Sequence, residues 1–313
     1  MNDVGAAAFE PYEAGLGPLL ISRGIDVMGL WRRFHAQRAW IRKPVKLLVF
    51  AVGTGLVLYP KPWLLPTWVE RIRNVDAMIE PDHPGLAAFE TDVRAEIAPG
   101  ADAASVLQTV QKVVYKRVPY AWDWDVWGVV EYLPTVSEVL EQGREDCDGR
   151  AVVAASLLRR MGYEAHLASD VLHMWVVTPQ GETMSPTGGE KTFVGGPGGT
   201  QARVSLNLLG NLARGLSYGV AAFPLVREAI ILGLLALVTM HPWSSGWRRL
   251  SGVLLLWIAL DTLRAAGISA ALQRDWPSTW TCALGVALAV AGWLTLAIKD
   301  RAGRRAPAGP APG

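Results

Sequence analysis

Gly143-Arg-Glu-Asp-Cys-Asp-Gly-Arg-Ala151 decides how the middle of the chain is read. It opens a helix predicted over about 146–161, with Gly162 as a C-terminal stop because glycine enters positive φ at little cost. Just upstream, Thr135-Val-Ser-Glu138 has the Thr-x-x-Glu spacing of an N-terminal capping box, which predicts a short helix over 135–142. Cys147 then falls in the first turn of the longer helix. Free backbone N–H groups and the positive end of the helix dipole favour a thiolate there. The same groups suit the oxyanion formed when a thiolate attacks an acyl carbon. The competing reading of Cys147 is an inert, small core residue. Asp146 and Asp148 flank it and are expected to cap the helix.

Downstream, 164–168 and 171–177 alternate as strands, Pro179, Gln180 and Gly181 turn the chain, and 182–185 return as a hairpin. A two-residue period puts His173 and Trp175 on one strand face. Alone, such a histidine reads as packed core; beside Cys147 it reads as the base that a thiol nucleophile needs. Upstream, 91–97 and 103–117 have helical spacing, with Val106, Val110, Val113 and Val114 on one apolar face. Tyr120, Trp122, Trp124, Trp127 and Tyr132 follow in a loop that either lines a cleft or packs the core. Gly195-Gly-Pro-Gly-Gly199 reads as a flexible loop, and no Gly-Lys-Ser/Thr follows it to make a phosphate cradle.

Thr135 to Ala151, Leu157-Leu-Arg-Arg-Met-Gly162, His173-Met-Trp-Val176 and Ser185-Pro-Thr187 resemble, in order and spacing, successive core motifs of the transglutaminase-like superfamily of papain-type cysteine enzymes. The Val113-Val-Tyr115 helix and the aromatic loop are similar too, so the resemblance covers about 103–188. It implies an α+β fold with a papain-like/transglutaminase-like core, helices packed on an antiparallel sheet. It further implies a nucleophile at Cys147, a base at His173, and chemistry through a thioester: peptide-bond hydrolysis, deamidation or transamidation. One position departs from the pattern. Ser185 stands where the family usually carries Asp in an Asp-Pro-Thr motif. A serine hydroxyl can hold the imidazole tautomer but cannot stabilise the imidazolium with a full charge. Ser185 is therefore the expected orienting partner of His173. Glu182 is the other acid nearby, yet strand geometry separates it from His173 by on the order of 15 Å, and no role is assigned to it.

The rest of the chain points to lipid. Of 313 residues, 51% are hydrophobic and 19% charged, below the roughly 25% usual in soluble domains. The clearest predicted span is the uncharged 277–298; three further spans are 47–65, 220–240 and 250–266, about four transmembrane helices in all. Arg32, Arg33, Arg38, Arg42, Lys43 and Lys46 precede the first, Arg248 and Arg249 lie between the second and third, and Lys299, Arg301, Arg304 and Arg305 follow the fourth. Because Lys and Arg stay on the cytoplasmic side, both termini are expected there. The domains expected are a basic cytoplasmic segment over 1–46, a signal-anchor helix over 47–65, an extracytoplasmic domain over 66–219, three helices within 220–298 and a disordered tail over 299–313. The protein is read as integral to the inner or plasma membrane.

Two cysteines supply neither a disulfide framework nor a four-thiolate zinc site. His35, His83, His166 and His241 show no pairing at i and i+4 and no carboxylate at metal spacing, so no metal and no cofactor is expected. A net charge of +2 without basic–aromatic blocks gives no support for nucleic-acid binding. The expected partners are a peptide or protein substrate, membrane lipid and an unidentified membrane subunit. The expected activity is acyl transfer or hydrolysis at peptide amide bonds of the cell envelope; the alternative is a non-catalytic module that binds a peptide or partner.

Overall fold

The structure, a computed structural model, describes residues 27–170, 173–185, 191–202, 218–273 and 279–299. They form a mixed α+β architecture, mostly helical, with one small antiparallel sheet. Helices α1 (Val27–Ala36), α2 (Ala39–Leu58), α3 (Leu65–Arg73), α4 (Leu86–Glu96), α5 (Ala103–Arg117), α6 (Asp123–Val126), α7 (Val136–Gln142) and α8 (Cys147–Arg160) come first. Strands β1 (His166–Ser169), β2 (Met174–Thr178), β3 (Gly181–Thr183), β4 (Phe193–Val194) and β5 (Gln201–Ala202) follow. Then come α9 (Leu225–Thr239), α10 (Gly246–Gln273) and α11 (Thr279–Ala297).

Helix α8 is the centre of the α+β part. Asp146 caps it by accepting from the Asp148 N–H, and Gly162 takes a φ of 89° just past its end. Ala151, Val152, Val153, Ala154, Ala155, Leu157 and Leu158 are all inaccessible to solvent. A helix apolar on every side belongs inside a core, and its three alanines let β1 and β2 approach on one side and α4, α5 and α7 on the others. The sheet order is β3-β2-β1-β4-β5. The β2–β3 hairpin pairs Val176 with Thr183 and Thr178 with Gly181, on the turn that Pro179 to Gly181 predict.

Three local expectations are refined. Strand β2 begins at Met174, so His173 stands just before the strand rather than on its face, while 171 and 172 lie outside the described residues. The helix read over 91–97 starts at Leu86, because Leu86, Phe89 and Val93 make one buried stripe. The glycine loop is tied down at its start: the Gly195 N–H donates to Leu167 O at 2.7 Å, and a Cβ on Gly195 would collide with the Asp76 carboxylate.

The capping box of α7 forms as its spacing predicts, Thr135 Oγ1 accepting from the Glu138 N–H and Glu138 Oε2 from the Thr135 N–H. Glu138 also takes two N–H groups of Arg71 at 2.7 and 3.1 Å and the Tyr132 hydroxyl at 2.8 Å, tying α3 to α7. Burial opposes its ionisation, but Arg71 and the other donors outweigh that and hold the carboxyl below its ordinary range. Such a group stabilises the fold fully above its ordinary value, and that contribution is lost as pH falls through the lowered one. Glu138→Ala is expected to cost about 2–3 kcal/mol at neutral pH. Denaturation midpoints at pH 7 and pH 3.5 check this: the gap between parent and variant narrows in acid.

Among the described residues two helices are long and apolar enough to cross a membrane, over Gly246–Ser269 in α10 and Trp280–Ala297 in α11, which weakly suggests membrane association. They pack as a close pair: a Cβ on Gly292 would meet the Gly252 carbonyl at 2.9 Å, a small-residue contact of the kind that lets helix backbones approach. The other two expected spans differ in extent. The helix read over 47–65 is α2, which carries Arg42, Lys43 and Lys46 and stops at Leu58 ahead of Pro60 and Pro62. The one read over 220–240 is interrupted at Pro224, leaving the 15 residues of α9, about 22 Å of helix. The predicted disordered tail after Lys299 lies outside the described residues.

Candidate active site

The α8 N-terminus, the start of β2 and the aromatic loop meet at one place. Glu145 pairs with the loop, its N–H donating to Pro119 O and its carbonyl accepting from the Ala121 N–H. That short parallel bridge sets Tyr120 beside the start of α8. Tyr115, Tyr120 and Trp122 are the exposed members of an aromatic surface there; Trp122 stacks on Trp124 at 4.9 Å, and the Arg150 guanidinium lies over the Tyr115 and Tyr120 rings. Trp127 and Tyr132 pack inward at 4.4 Å between centroids, so the loop divides between surface and core.

Cys147 is half-buried at the head of α8, and the Met174 backbone N–H at the start of β2 lies close enough to favour its charged form. The structure thus brings the thiol to the residue next to His173. The His173 N–H is bound by Asp170 Oδ1 at 2.8 Å, and the ring's Nε2 lies 3.0 Å from Met184 O. A carbonyl only accepts, so Nε2 carries the proton in that pair and Nδ1 is left with the lone pair. Here the expectation for Ser185 is corrected. The partner of the imidazole is the main-chain carbonyl of Met184, one residue earlier, while Ser185 is exposed. Glu182 is engaged elsewhere, accepting from Trp175 Nε1 at 3.0 Å and pairing with Lys191 Nζ at 2.5 Å.

Met184 has a φ of 63°, the one non-glycine residue at positive φ among those described. A buried methionine in the left-handed region is strained and persists only where its surroundings dictate it. Gln111 of α5 supplies that constraint: its Oε1 takes the Met184 N–H at 3.0 Å and the Thr183 hydroxyl at 3.1 Å. No spacing rule would have pointed to Gln111 or Met184, because one lies on a helix far upstream and the other acts through its backbone. Gln111→Ala leaves the Met184 N–H without its acceptor and is expected to cost about 1–3 kcal/mol. The His173 imidazole should also become more mobile. A lowered unfolding midpoint with a narrowed, shifted imidazole resonance checks both.

The electrostatics differ from the expected thiolate-favouring helix start. The N–H groups of Asp146, Asp148 and Gly149 are already taken by carboxylate oxygens of Glu145, Asp146 and Asp148 respectively. The positive end of α8 is therefore spent on its own acids. Burial pushes the Cys147 thiol up, Asp146 adds to the push, and the Met174 N–H acts against them. Burial and the repulsion of Asp146 likewise raise the carboxyls of Asp123, Glu145 and Asp148. No protein-family model and no curated protein matches the chain.

Proposed function

We propose that this chain is a membrane-anchored, transglutaminase-like cysteine enzyme that acts through a thioester on peptide or protein amide bonds at the cell envelope. The observation that carries the reading is the His173 imidazole held by the Met184 carbonyl at 3.0 Å, which leaves Nδ1 with its lone pair; the resemblance pairs that histidine with Cys147 at the head of α8. In the proposed reaction Nδ1 takes the thiol proton as the sulfur attacks the acyl carbon. The protonated imidazole then passes that proton to the departing amine, and water or a second amine resolves the thioester. Met184 fixes the tautomer without adding charge, so the imidazolium is supported less than by the aspartate of the resembled family. Tyr115, Tyr120 and Trp122 offer a rigid apolar surface for a peptide beside the thiol.

The four-crossing arrangement with 66–219 outside belongs to the same proposal. It draws support from the basic segments and from the apolar side chains that α2 and α9 leave exposed, Leu47, Leu48, Val52 and Leu56 on one, Val226, Ile230 and Leu237 on the other. A second reading, peptide binding without turnover, is favoured by the raised thiol. One experiment separates the two. The full-length protein in detergent micelles is incubated with a peptide library and hydroxylamine, which converts a thioester to a peptide hydroxamate. Hydroxamates that vanish after iodoacetamide treatment support the enzyme; peptides retained unmodified, with no hydroxamate formed, support the binding module.

A further inference from the structure

Asp123, Glu145, Asp146 and Asp148 place carboxylate oxygens within 4.8 Å of one another. Asp123 is 1% exposed, Asp148 4% and Glu145 0%. The donors they meet are neutral N–H groups. Asp123 Oδ2 takes the Tyr132 N–H at 2.5 Å, Glu145 takes the Trp127 indole and the Asp146 N–H, Asp146 takes the Asp148 N–H, and Asp148 Oδ1 takes the Gly149 N–H. Three oxygens remain, and two of them, Asp123 Oδ1 and Asp148 Oδ2, are buried with no hydrogen-bond partner. Among the described residues no Arg, Lys or His forms an ion pair with any of the four. Converging buried carboxylates with unsatisfied oxygens are too costly to keep ionised unless a positive charge sits among them.

We infer that these four residues form a Ca²⁺ site at the foot of α8. Oxygens around Ca²⁺ at 2.3–2.6 Å are separated by up to about 5 Å, which the observed limit allows; four carboxylates in one buried cluster suit Ca²⁺, whereas Mg²⁺ keeps several waters and takes one or two carboxylates. The set holds no nitrogen or sulfur ligand of the kind zinc prefers. Spacing did not reveal it, because Asp123 comes from α6 and the other three from the turn into α8. The site joins two parts of the molecule. The loop that carries Asp123 also accepts Lys61 Nζ on Trp127 O at 2.7 Å, Arg227 Nη2 on Gly128 O at 3.0 Å, and gives its Val130 N–H to Leu58 O at 2.9 Å. A bound ion therefore fastens α8 to the segment against which α2 ends and α9 begins. The inference is independent of the thioester reading.

The test uses the full-length chain in micelles, stripped with EGTA and then melted in EGTA, Ca²⁺ or Mg²⁺. Ca²⁺ at about 100 times its Kd is expected to raise Tm by on the order of 5 °C, and Mg²⁺ to raise it little. The Asp123→Asn/Asp148→Asn double variant should lose the Ca²⁺ response. No Ca²⁺-dependent shift in the parent, an equal shift with Mg²⁺, or a shift retained in the double variant overturns the proposal. So does an Asn variant that melts higher than the parent in EGTA with neither responding to Ca²⁺, the pattern of carboxyls kept neutral by protons. Should the double variant not fold, equilibrium dialysis of the parent against radioactive Ca²⁺ decides: one ion per chain supports the site, and none overturns it.

Discussion

Cys147→Ala is expected to abolish hydroxamate formation, a loss of about a thousandfold or more, while the protein still folds. The sulfur is the atom that becomes covalently bound to the acyl group in the proposed reaction, and no other described thiol lies in the α+β part, since Cys282 is on α11. Folding should survive because Cys147 is half-buried, its neighbours on α8 are small, and the cap belongs to Asp146. His173→Ala should lose nearly as much, and the double variant little more, because members of one catalytic unit are not additive. Ser185→Ala should change the rate far less, since Met184 O holds the imidazole. Rates measured on variants with parent-like unfolding midpoints check this. Turnover persisting in folded Cys147→Ala would remove the thioester mechanism altogether.

Gly149→Ala is the stability change with the largest expected effect. A methyl group there would sit at or inside 3.0 Å of Cβ, Cγ and Cδ of Glu145, a side chain with no exposure at all. Glu145 cannot yield cheaply. Its carboxylate holds the Trp127 indole and the Asp146 N–H, and its backbone pairs with Pro119 and Ala121. Overpacking of this kind costs about 1–3 kcal/mol, and displacing Glu145 adds the loss of buried hydrogen bonds, so about 3 kcal/mol or more is expected. The aromatic loop should loosen with it. A fall in the denaturation midpoint accompanied by faster amide exchange in residues 119–132 is the signature. An alanine variant as stable as the parent would show that Glu145 is free to move.

Much of the fold was legible because it rests on local chemistry. The capping box of Thr135 and Glu138, the start of α8 at Cys147 under an Asp146 cap, the span of α5 and the turn between β2 and β3 all depend on residues within a few positions of one another. The resemblance placed the thiol and the histidine together in expectation, and that pairing belongs to the proposed function. What the motif pattern misassigned was the orienting group. It counts side chains, whereas the atom facing His173 is a main-chain oxygen turned inward by the left-handed backbone of Met184.

The sequence by itself determined where α5, α7 and α8 begin and stop, which residues turn the hairpin, and that a cysteine heads a helix, since caps, glycines and periodicity act over one or two turns of chain. Tertiary structure alone decided what surrounds that cysteine. Gln111 reaches Met184 from α5, and Asp123 joins Asp148 from the aromatic loop. It also decided how far two apolar runs remain helical, through Pro60 and Pro224 and the contacts that use their breaks. The physical reason is the same throughout: burial, repulsion between carboxylates and the satisfaction of polar groups depend on neighbours in space, and those neighbours come from segments far apart along the chain.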